Sequence, residues 1–252
     1  MGTLNGSKTM TKLKDRVVII TGASGKLGTA LSRHFHKAGA SLVLAARGEK
    51  RLRRLENSLG KERVLAIPTD GTDVKAVRKL LKIAVAKFGR VDCVVMCTGT
   101  WKQISLASND TLAAERLDED HYAFAKTAFV TGRVAFKFLQ RRRGVVGLIA
   151  HISSHAAVRP RLAGNDTYGP TKAEASHYMA ILNAEKKRLR IKNVQVTDLR
   201  PATINLPGMG LSSEQQRKAV QPSTIAEWIA RHIGKKRVAP FKHFETKEGF
   251  AL

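Results

Sequence analysis

At 252 residues the chain is long enough to bury a core without disulfide or metal staples, and 43% apolar with 26% charged residues excludes global disorder. Its two cysteines, Cys93 and Cys97, exclude a disulfide framework and fit a reducing compartment, taken as the cytoplasm. Lys and Arg number 45 against 20 Asp and Glu, a net charge of +25 that attracts polyanions.

That charge is spread over the chain, with short clusters at Lys50–Arg54, Arg141–Arg143 and Lys186–Lys192. A solvated basic surface is the expected reading, and no nucleic-acid partner is expected. No apolar run reaches the ~18–20 residues of a membrane helix, and no charged-then-apolar leader opens the chain. Residues 1–11 read as an unordered segment or expression remnant, with Met10 a natural alternative start. Residues 12–252 read as one domain.

Short β-branched runs alternate with helical patterns from there on. Arg16–Thr21 is a continuous apolar run ending at glycines, as in a strand buried on both faces. A helix over Lys26–Ala38 stops at Gly39. Ser41–Ala46 is a second strand, Glu49–Leu59 a helix and Val64–Ile67 a third strand. Asp73–Phe88 is amphipathic, with Asp73 placed as its N-cap. Val91–Cys97 forms strand four, His121–Gln140 a long helix, Val145–Ile152 strand five and Tyr168–Arg188 a helix. Val194–Leu199 is strand six, and Ser223–Ile233 the last helix. Alternation of this kind predicts an α/β domain with a doubly wound parallel sheet covered on both faces. Residues 98–118, 155–167 and 202–222 read as irregular. Each follows a strand, at the sheet edge where open α/β folds bind ligands.

Strand one runs into Thr21-Gly22-Ala23-Ser24-Gly25-Lys26-Leu27-Gly28, which opens a helix. Gly22 permits the tight turn, Gly25 lets backbone approach a pyrophosphate, and Gly28 lets helix pack on sheet. The helix N-terminus offers N–H groups and a positive dipole end to phosphate. Strand two ends in Ala45-Ala46-Arg47, without the carboxylate that would bond a ribose 2′-hydroxyl; an Arg fork there suits a 2′-phosphate. Asp70, after strand three, is placed either at the adenine or as a turn aspartate.

Ser153 and Ser154 end strand five. Tyr168 and Lys172 then stand four apart on one helix face. A phenol titrates near 10, so a neighbouring ammonium is expected to bring it toward neutrality. Ser154 is positioned to hold a carbonyl oxygen. Cys93 and Cys97 share a strand face as buried thiols, and no zinc set accompanies them. His155 is read as a loop histidine or a wall of the substrate mouth, and Trp101 as a pocket wall or a cover of the sheet edge.

TGASGKLG, LAAR, Asp70, Ser154, YGPTK and RPA together resemble the short-chain dehydrogenase/reductase family over residues 14–235. The resemblance implies a single Rossmann-like domain and an oxidoreductase that moves hydride between NADP(H), preferred over NAD(H), and a carbonyl or alcohol. It implies Ser154, Tyr168 and Lys172 as catalytic residues. Thr21, Gly22, Ser24, Gly25, Lys26, Leu27, Gly28, Arg47, Asp70, Gly99 and Pro201 join Tyr168 and Lys172 at the cofactor. A homodimer or homotetramer is implied, pairing the central and Tyr-bearing helices through an Ala/Gly-rich stripe. The chain departs from the family in several places: the glycine pattern is TGxxGxxG with Lys26 at the position of a usual glycine, and Pro201-Ala202 stands for the usual PG. Met96-Cys97-Thr98-Gly99 stands where NNAG is usual, the central helix lacks its usual asparagine, and no final strand is recognisable in Val238–Leu252. These departures keep open an alternative: a catalytically weak relative that binds nucleotide cofactor and a polyanion.

Overall fold

A computed structural model describes residues 11–102, 104–159 and 166–245; residues 1–10 of the segment expected to be unordered lie outside them. Seven strands form one parallel sheet in the order β3-β2-β1-β4-β5-β6-β7. They are β1 Val17–Thr21, β2 Ser41–Ala46, β3 Val64–Pro68, β4 Cys93–Met96, β5 Gly147–Ile152, β6 Val194–Pro201 and β7 Phe241–Phe244. The order reverses between β1 and β4, which opens a crevice at their carboxyl ends.

Helices cover both faces, in accord with the unbroken apolar runs of the inner strands. On one face lie α1 (Lys26–Lys37), α2 (Glu49–Leu59) and α8 (Pro222–His232), with Leu31, Phe35, Leu52, Ile225 and Ile229 buried against the sheet. The other holds α3 (Val74–Phe88), α5 (Thr127–Leu139) and α6 (Tyr168–Arg188), packed through Leu80, Leu81, Ala135, Met179 and Leu182. Asp73 caps α3, accepting from the Lys75 amide at 2.7 Å and the Ala76 amide at 3.3 Å.

The structure corrects several expectations. The stretch read as irregular before the central helix contains α4, Asp110–Asp120, capped by Asn109. A π-helical turn over His121–Lys126 joins α4 to α5. Helix α4 exposes Leu112 and Leu117, so it lacks the apolar stripe that marks a helix in sequence. A further short helix, α7 (Ser213–Lys218), carries a capping box from Ser212 and Gln215. The missing final strand is present as β7, paired with β6. Its Phe-Lys-His-Phe sequence is mostly exposed, so it carries no buried-strand signature.

The small-residue stripe also faces differently. Ala128, Ala135, Phe136 and Leu139 are buried on the sheet side, and Gly132 lies against Met179 and Leu182 of α6. Outward, α5 presents Phe129, which meets Tyr178 of α6 with ring centroids 4.7 Å apart.

Candidate active site

The turn after β1 is shaped by packing as much as by any ligand. Gly22 has φ +72°, and a Cβ there would lie 2.6 Å from the Cys97 carbonyl oxygen. One on Gly28 would lie 2.2 Å from the Gly22 carbonyl. Thr21 and Gly28 are buried, and Leu27 packs on the core. Ser24 is half-buried, whereas Gly25 and Lys26 are exposed. Gly25 occupies the N-cap of α1 with no side-chain cap, and the first turn contains no acid. Backbone donors there are thus available to an anion, which fits a pyrophosphate. Lys26 Nζ reaches across to the Gly208 carbonyl at 3.4 Å, bridging to the segment after β6.

Arg47 is exposed at the end of β2, its guanidinium 5.9 Å from the Tyr122 ring. Asp70 is held in a turn. One oxygen accepts from the Thr72 amide at 2.9 Å and hydroxyl at 2.8 Å, and the other accepts from Tyr122 at 2.7 Å. Burial works upward on this carboxyl, but those bonds and the charge of Arg47 hold it below its ordinary value. Its side chain therefore serves the turn and ties β3 to the π-helical segment.

Beta strand five delivers the two serines to different tasks. Ser153 is buried and shares a 2.6 Å hydrogen bond with Ser176 of α6. Ser154 lies beside the Tyr168 phenol and acts to lower it, while its oxygen accepts from the Ala156 amide at 3.1 Å. Burial pushes Tyr168 up to about 12, with Ser154 opposing and the charge of Asp120 adding. Lys172 is 4% exposed and donates to the Ile152 carbonyl at 2.9 Å. Burial brings it down to about 8, against the pull of Asp198, Cys97 and Asp120. The two groups thus move apart, and the expected lowering of the phenol by Lys172 is overridden by burial.

Three groups around this set escaped the sequence reading. Phe124, from the π-helical turn, sets its ring 4.3 Å from Lys172 Nζ and edge-on to Tyr168 at 5.2 Å. The π-helical turn therefore offers Lys172 an aromatic face. Gly99, φ +98°, is required for this, because a Cβ there would lie 1.8 Å from the Phe124 ring. Asp120 is fully buried and accepts from Thr167 at 2.8 Å, with Arg116 as its salt-bridge partner. Behind Lys172, His151 and Asp198 pair at 2.7 Å, and Arg200 bonds the second Asp198 oxygen at 2.7 Å. Pro201 closes β6 beside them, buried. His151 and Asp198 stand at the ends of adjacent strands in register, a relation that periodicity alone does not expose.

A family model described as short chain dehydrogenase matches residues 16–218. An uncharacterized oxidoreductase of Staphylococcus aureus strain USA300 is 30% identical over 221 residues, 87% of this chain and 91% of that protein. Among solved structures, a short-chain dehydrogenase of Bacillus anthracis superposes with TM-score 0.79 at 18% identity, covering 92% of this chain and 95% of that one. A 3-ketoacyl-(acyl-carrier-protein) reductase of Brucella melitensis, complexed with NADH, gives 0.78 at 20%, covering 95% and 100%. The alternative of a catalytically weak polyanion binder finds no support in these matches. With the glycine turn, Ser154, Tyr168 and Lys172 converging on one sheet edge, the chain belongs to the short-chain dehydrogenase family of oxidoreductases.

Proposed function

We propose that the protein is an NADP(H)-dependent carbonyl reductase or alcohol dehydrogenase acting on a small molecule. What carries the reading is one convergence: Tyr168 and a buried Lys172 one helical turn apart, with Ser154 beside the phenol, at the crevice that also receives an uncapped helix α1. The nicotinamide supplies the hydride. Ser154 holds the substrate oxygen, and Tyr168, protonated at neutral pH, gives that oxygen its proton. Lys172 holds the nicotinamide ribose. Thr21, Gly22, Ser24, Gly25, Leu27, Gly28, Gly99 and Pro201 form the dinucleotide cradle. Asp70 frames the adenine end through its turn. A reducing compartment, the cytoplasm, suits the two free thiols.

Preference for the phosphorylated cofactor rests on Arg47, with Lys26 as a second cation. Of the nearby carboxylates, Glu49 meets Arg53 at 3.4 Å and Asp70, after β3, is engaged by Thr72 and Tyr122. A relative complexed with NADH, such as the Brucella reductase, makes the choice a real test rather than a family default. Arg47→Ala is expected to weaken NADPH binding by about 10-fold or more, the range of a charge-assisted phosphate contact at roughly 1.5–3 kcal/mol. NADH binding should hardly change. Equal losses for both cofactors in a fluorescence titration remove the role given to Arg47.

We also propose a homo-oligomer. The support is now the outward face of α5 and α6: Phe129 is 47% exposed and Ile181 43%. Such an apolar pair on adjacent helices suits an isologous two-fold contact. Phe129→Asp should shift the mass from dimer or tetramer toward monomer in light scattering. A wild type already monomeric at micromolar concentration rejects the oligomer.

A further inference from the structure

Outside the Ser154–Tyr168–Lys172 set, three metal-ligating side chains gather at the edge of the sheet. His155 opens the 3₁₀ turn His155–Ala157 directly after Ser154 and is only 4% exposed. His243 lies on β7, and Glu245 follows that strand. Their ligand atoms all fall within 4.8 Å of one another. The His155 Nε2 and His243 Nδ1 atoms are both buried without a hydrogen-bond partner. Orphaned polar atoms of this kind are costly, and each of the two rings has one.

We propose that His155, His243 and Glu245 form a binding site for one divalent zinc-class metal ion. Two imidazoles and a carboxylate are the His₂Glu donor set that zinc takes with a coordination position left open. The ring centroids of His155 and His243 are 5.5 Å apart at 56°. Two imidazoles on one tetrahedral zinc, with Zn–N about 2.0–2.1 Å, place their centroids on the order of 5 Å apart. Glu245 Oε1 is 3.5 Å from His155 Nε2, close to the roughly 3.3–3.4 Å that two ligand atoms keep on one tetrahedral zinc. Arg159 bonds the same Glu245 oxygen at 3.1 Å and competes for it. Of the other nearby charges, Arg200 is neutralised by Asp198.

Such an ion would clamp the end of β7 to the turn that carries Ser154. It joins two segments far apart in the sequence, residues 155 and 243–245, at the edge of the sheet.

Zinc chloride titrated into the full, chelator-stripped chain, followed by calorimetry, tests the proposal. Cobalt(II) absorption provides a second readout that is independent of catalysis. One equivalent is expected to bind, with visible cobalt bands of a four- or five-coordinate site. His243→Gln and Glu245→Gln should each weaken it by about 10-fold or more, as loss of a ligand costs at least as much as loss of an outer-shell partner. Glu245 is 55% exposed at the side chain, so Glu245→Gln leaves the core intact whatever His243→Gln does to folding. Failure to bind one equivalent, or equal binding by wild type and Glu245→Gln, overturns the site and assigns any zinc to other histidines.

Discussion

Tyr168→Phe is expected to lower NADPH-dependent carbonyl reduction by ~10²–10⁴-fold, the usual worth of a positioned general acid. NADPH affinity should stay close to wild type. The substitution removes only the hydroxyl, and the ring keeps its edge-on packing against Phe124 at 5.2 Å. Ser154 keeps its bond from the Ala156 amide, so the turn after β5 holds its shape. Loss of rate with retained binding therefore isolates the proton transfer. Burial keeps the phenol protonated, at about 12, so reduction has its proton in hand throughout the neutral range. Alcohol oxidation needs that proton removed, and its rate should climb with pH while reduction does not. A Tyr168→Phe enzyme with full turnover on any accepted carbonyl would refute the mechanism.

How far the sequence exposes this site depends on what kind of relation holds its parts. Gly22, Gly25 and Gly28 are legible because strand, turn and helix follow one another in the chain. Tyr168 and Lys172 are legible because one helical turn separates them. Phe124 is not, because its role arises only when the π-helical turn brings its ring over Lys172 from another element. The same applies to Asp120 under Tyr168 and to the His151–Asp198 pair across β5 and β6. Strand β7 escapes for a different reason. At an edge, with Phe241 half-exposed, it has neither alternation nor an apolar run to announce it. The stripe of α5 was visible, but its direction was not: small residues permit close approach on either side, and here the sheet and α6 take it.

Lys172→Met should abolish most turnover and, at the same time, change how the ligand-free protein responds to pH. The amine is buried and falls from 10.5 to about 8. Below pH 8 it is protonated in both folded and unfolded chains, and the full cost of the buried charge is present. Between 8 and 10.5 the unfolded chain still holds the proton that the folded chain has released. The unfolded state then binds more protons, so stability rises with pH, by about 3 kcal/mol over the whole interval. The Cys97 thiol, raised by burial from 9.0 to about 12, pulls the other way above pH 9, and Tyr168 does so above pH 10. The window from about pH 7.5 to 9 therefore isolates Lys172. Within it wild type should gain roughly 1 kcal/mol, about 2–4 °C in Tm for a domain of this size, beyond any gain by Lys172→Met. The methionine leaves the Ile152 carbonyl without its 2.9 Å donor, a pH-independent loss that shifts the whole curve without changing its slope. Calorimetric melting of both proteins across that window decides the matter: parallel curves would mean that Lys172 keeps its charge in the folded chain. Divergent curves would mean that the residue lowers the stability of the empty enzyme at neutral pH, a cost its place in the active site explains.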